Sequence, residues 1–76
     1  MTDALTETER KMLDFETTWW QHQGAKEDEI RRRFDVTATR YYQRLIALIG
    51  RHEALAYAPV TVKRLRRLYK VGDRAG

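Results

Sequence analysis

The stretch that decides the fold is EDEIRRRFDVTATRYYQRLIALI, residues 27–49. It reads as two helices separated by a short break. Ile30 and Phe34 are an i, i+4 apolar pair in a first helix over 25–34. Glu27, Asp28 and Glu29 stand in its first turns, and Arg31, Arg32 and Arg33 near its end, as the helix dipole favours. Asp35-Val36-Thr37 interrupts the periodicity, and Asp tolerates a left-handed backbone better than most residues. Thr37 predicts the cap of a second helix over 38–49, closed by Gly50. There Ala38, Tyr41, Tyr42, Leu45, Ile46, Leu48 and Ile49 share an arc of about 160°. Thr39, Arg40, Gln43, Arg44 and Ala47 form the opposite stripe. Two short helices crossing steeply over a tight turn need apolar residues at set places. Ile30, Phe34, Val36, Tyr41 and Leu45 supply them.

Further helices are predicted on either side. Thr6-Glu7-Thr8-Glu9 fits a capping box that opens a helix over about 6–22. Met12, Leu13, Phe15, Trp19 and Trp20 lie on one arc and predict its core face. Glu16 falls inside that arc, so its carboxylate needs a cation, hydrogen-bond donors or a place at the rim. Gly24 reads as the stop of this helix. Residues 51–58 read as a loose turn. Pro59 suits the first position of a last helix over 59–70. Its narrow apolar stripe is Val62, Leu65, Leu68 and Tyr69, with Lys63, Arg64, Arg66, Arg67 and Lys70 covering the rest. Residues 71–76 read as a frayed tail.

Composition narrows the chemistry. The chain has 76 residues, no Cys, one Pro and four Gly. It also lacks Ser and Asn. No disulfide framework, thiolate metal site or Ser or Cys nucleophile is available. His22 and His52 have no partner at metal-ligand spacing, and the glycines make no phosphate loop. The expectation is a non-enzymatic protein with no catalytic residues, no metal and no cofactor. No apolar run is longer than the five residues of Leu45–Ile49, far short of a membrane span. The acidic start, MTDALTETER, is unlike a signal peptide. These features predict a soluble, cytoplasmic protein. Residues 1–30 carry three basic and eight acidic side chains, a net charge of −5. Residues 31–76 carry twelve and three, a net charge of +9. The overall +4 therefore hides a basic half of the kind that binds polyanions.

Residues 27–49 resemble the helix-turn-helix of small bacterial regulators and of the sigma-factor C-terminal region. Two positions depart from it. Arg31 stands where a small residue is usual, and Asp35 where Gly is usual. Arg31 would point outward or pair with Glu16 across the helix interface. The whole chain also resembles a family of small uncharacterised actinobacterial proteins that occur in phages too. That resemblance rests on Trp19-Trp20, GAKEDEIRRRF (24–34), TATRYYQRLIALI (37–49) and ALAYAPVTVKRLRRL (54–68). It implies a helix-turn-helix fold and DNA binding, with no target specified. Members usually carry an apolar residue at the position of Arg44, so this surface is expected to differ. The expected fold is a single all-α domain over 1–76: a three-helix helix-turn-helix unit with an additional basic C-terminal helix.

In such a unit the second helix enters the major groove with its N-terminal half facing the bases. The expected base readers are Thr37, Thr39, Arg40, Gln43 and Arg44, since Gln matches adenine and Arg matches guanine. The expected phosphate contacts are Arg31, Arg32, Arg33, Tyr42, Lys63, Arg64, Arg66, Arg67 and Lys70. The expected partner is double-stranded DNA in the nucleoid, for transcriptional regulation or as an architectural protein. An alternative is docking on RNA polymerase, a sigma factor or another regulator. A second copy of the chain would match a two-fold operator. A lipid surface is not expected, because the basic last helix is short and has no Trp or Phe on its apolar face.

Overall fold

Helix α1, Glu7–Thr18, starts where the capping box predicts. Thr6 donates its backbone N–H to Glu9 Oε1 at 2.8 Å, and Glu9 returns its own N–H to Thr6 Oγ1 at 3.1 Å. Two backbone donors that the helix leaves orphaned are thereby satisfied. The computed structural model describes residues 4–18 and 23–72. Trp19, Trp20 and His22, and the expected extension of the first helix to 22, lie outside those residues.

All regular structure among the described residues is helical. After α1 come α2, Gln23–Phe34; α3, Ala38–Ile49; α4, His52–Tyr57; and α5, Pro59–Tyr69. The bounds of α3 are those read from the sequence. Gly24 does not stop a helix; it lies in the first turn of α2. A side chain there would meet open space, so no steric need for glycine exists.

Residues 51–58 are not a loose turn, because α4 occupies most of them. The segment HEALAY is made largely of good helix formers, and Ala54 is fully buried. Six residues are too few to show a periodicity, which hid this helix between Gly50 and Pro59. Pro59 separates α4 from α5 by excluding Ala58 from helical backbone: Ala58 has φ −140° and ψ 72°. At the far end Lys70 takes a left-handed φ of 56° and closes α5 one residue earlier than expected.

The core gathers residues from every described element. Leu5, Met12, Leu13 and Phe15 meet Ile30 from α2 and Tyr41, Leu45, Leu48 and Ile49 from α3. Ala54, Val62 and Leu65 complete it. Helix α3 is central, packing on α2, α4 and α5, while α1 packs across α4 and α5. Phe15, Phe34 and Tyr41 form an aromatic knot that ties α1 to α2 and α3. Phe15 meets the other two edge-on, with centroids 5.6 and 5.9 Å away. Arg66 binds α5 to the end of α3 by donating from Nε to the Ile49 carbonyl at 2.6 Å. The last helix departs from its expected pattern at Leu68, which is 66% exposed. Thr61 takes a buried place instead, its hydroxyl 2.8 Å from that of Thr17 on α1.

Candidate nucleic-acid interface

The turn between α2 and α3 orients the candidate surface. Asp35 adopts φ 54°, and its N–H bonds the Arg31 carbonyl at 3.0 Å, ending α2 in a left-handed cap. Two residues later Thr37 caps α3 with its hydroxyl oxygen, which accepts from Arg40 N at 3.2 Å. The acceptor of Thr37 is thus engaged within the chain.

From this start the two faces of α3 separate as predicted. Tyr41, Leu45, Leu48 and Ile49 are buried, and Ala38, Tyr42 and Ile46 are half-buried. Thr39, Arg40, Gln43, Arg44 and Ala47 are exposed. Arg40 and Arg44 line a shallow groove with Asp35, Val36 and Thr37. Arg44 and Ala47 also border a second groove, shared with Thr6, Thr8 and Glu9 at the start of α1. Four of the expected base readers thus sit on one exposed stripe of α3, with Thr37 at its head.

The nine expected phosphate contacts divide into two groups. Arg31, Lys63, Arg67 and Lys70 are exposed and form no ion pair among the described residues. The others are committed within the fold. Arg32 and Arg33 both bridge to Glu29, and Arg33 also lies over the Phe15 ring at 5.5 Å. Arg64 donates from Nη2 to the Glu16 carbonyl at 2.9 Å. Arg66 bonds the carbonyls of Ile49 and Arg51. Tyr42 is half-buried between Tyr41 and Tyr69, with ring centroids 5.3 and 6.3 Å away. Spacing alone reveals the pairs of Arg32 and Arg33 with Glu29, at i+3 and i+4. The partners of Arg64 and Arg66 come from α1 and the end of α3, which helix position does not reveal.

Glu16 does not pair with Arg31. Its carboxylate is fully buried and accepts from Lys26 Nζ at 2.7 Å and from the Tyr41 hydroxyl at 2.6 Å. Lys26 is itself buried, with Nζ 5.3 Å from the centroid of Tyr42. Arg31 points to solvent instead. The signal for Lys26 was present in the sequence. Lys26, Ile30 and Phe34 lie at i, i+4 and i+8, so a lysine on the apolar stripe of α2 faces a glutamate on that of α1. Burial, then the adjacent Glu16 charge and hydrogen bond, push the Tyr41 phenol far above its ordinary value near 10.0. Every buried side-chain polar atom among the described residues has a hydrogen-bond partner.

Residues 4–75 match a family described as a protein of unknown function, DUF3263. The chain belongs to that family. No curated protein and no solved structure matched it. No helix among the described residues is long and apolar enough to cross a membrane.

Proposed function

We propose that this DUF3263 protein binds double-stranded DNA through a helix-turn-helix formed by α2 and α3, with α3 in the major groove. The observation that carries the reading is the exposed stripe of α3. It combines Thr39, Arg40, Gln43 and Arg44 on a helix whose opposite face is buried in the core. The tight turn at Asp35–Thr37 and the buried or half-buried Ile30, Phe34, Val36, Tyr41 and Leu45 support the same reading. So does the resemblance of residues 27–49 to the helix-turn-helix of small bacterial regulators. In this scheme Arg31, Lys63, Arg67 and Lys70 hold phosphates and set affinity, while α3 discriminates sequence. Regulation of transcription in the nucleoid would follow from such binding.

Substitution tests this division of labour. Arg40→Ala and Gln43→Ala are expected to relax sequence preference by about 1–3 kcal/mol at the affected base pair. Lys63→Ala and Arg67→Ala are expected to weaken all duplexes alike. Equal losses on preferred and random duplex for both pairs, measured by fluorescence anisotropy, would refute the scheme.

A second reading is favoured by α5, where Val60 and Leu68 are 77% and 66% exposed. Apolar side chains among cations suit a protein partner such as RNA polymerase or a sigma factor. Failure of the purified chain to bind any duplex at low salt, with direct binding to purified polymerase, would favour it.

A further inference from the structure

The groove at the head of α3 combines features that favour base edges over phosphates. Arg40 and Arg44 line it together, both exposed and without an ion pair among the described residues. They lie at i and i+4, so their side chains rise from one face of α3, about 6 Å apart along its axis. Base pairs in B-DNA are spaced by about 3.4 Å. A recognition helix lies along the major groove rather than along the DNA axis, so side chains three or four residues apart face successive base pairs. Asp35 lines the same groove. Its carboxylate repels a phosphate brought there, yet accepts the N4 amino group of cytosine. A guanidinium matches O6 and N7 of guanine with two parallel bonds. Acceptor and donors together are complementary to G·C pairs.

We propose that Arg40 and Arg44 each read a guanine, the two guanines lying in successive base pairs of one site. This rests on the reading of α3 as the DNA-reading helix, and it assigns that helix its base class. Arg40 and Arg44 determine specificity through their forked geometry rather than their charge. Lysine keeps the charge and loses the fork.

The test is a selection from a random duplex library at physiological salt, using the full chain and its Arg40→Lys and Arg44→Lys variants. The expected wild-type motif contains two adjacent G·C pairs. Each variant is expected to lose preference at one of those pairs, with about tenfold weaker binding to the wild-type site and unchanged binding to random duplex. Both residues are exposed, and thermal melts by circular dichroism would verify that the variants stay folded. An enriched motif without that spacing, or one left intact in both variants, would overturn the assignment and leave DNA reading in place. Retention of duplex without any enriched motif would also overturn it, leaving phosphate binding alone. Retention of no duplex by folded protein would overturn the DNA reading together with the assignment.

Discussion

Glu16 shows how one side chain links three helices. It lies on α1, its cation on α2 and its phenol donor on α3. Removing one member of a buried ion pair leaves an uncompensated charge, whereas removing both, together with the Tyr41 hydroxyl that bonds Glu16, leaves an apolar site. Lys26→Met is therefore expected to destabilise the fold by about 3–5 kcal/mol. Adding Glu16→Leu with Tyr41→Phe should recover most of that loss, and urea unfolding of the single and triple variants checks it. A triple variant no more stable than the single one would show that these groups do not act as a unit. Tyr41 adds a pH dependence. Its folded phenol titrates well above 10.0, and the unfolded one near it. Stability from this group is complete below pH 10 and is lost as pH rises further, by about 1.4 kcal/mol per pH unit. Tyr57 and Tyr69 are also shifted upward, by a hydrogen bond to Asp14 and by burial respectively. The contribution of Tyr41 is thus read as a difference. Tyr41→Phe should flatten the fall in stability above pH 10 while keeping the aromatic packing.

At the scale of elements, the turn between α2 and α3 carries the strain. Asp35 holds a left-handed backbone that costs an L-residue roughly 1–2 kcal/mol, less for Asp than for most. Asp35→Gly is expected to stabilise the chain by up to about 1 kcal/mol, seen as a higher melting temperature. Asp35→Val should destabilise it by more than that, because a β-branched side chain crowds this backbone. A lower melting temperature for Asp35→Gly would mean that the carboxylate contributes more than its backbone costs. Both faces of α3 were legible because twelve residues carry a full period and Thr37 and Gly50 mark the ends. Helix α4 was not legible, since its six residues are fixed by packing of Ala54 and Leu55 and by the break before Pro59.

For the whole molecule, charge bookkeeping changes once the fold is known. Residues 31–76 hold twelve basic side chains, yet among the described residues four exposed cations, Arg31, Lys63, Arg67 and Lys70, remain for phosphates if α3 faces bases. Each phosphate neutralised contributes about −0.9 to the slope of log affinity against log salt. The expected slope is about −4, against roughly −11 if all twelve took part. Lys63→Ala should make it shallower by about 1. A slope of about −7 in a salt titration would mean that the pairs with Glu29 and the carbonyl bonds of Arg64 and Arg66 open on binding.

The sequence alone determined the helical class, the capping box at Thr6, the bounds of α3 and the division of its faces. These depend on neighbours within one or two turns, where spacing and side-chain chemistry suffice. The tertiary structure decided which charges are spent. Glu16 takes Lys26 rather than Arg31, Arg66 caps α3, Tyr42 joins the aromatic packing, and Leu68 faces outward. Helical periodicity gives the direction in which a side chain leaves its own axis. Which partner waits there depends on how distant segments cross, and local spacing does not encode that.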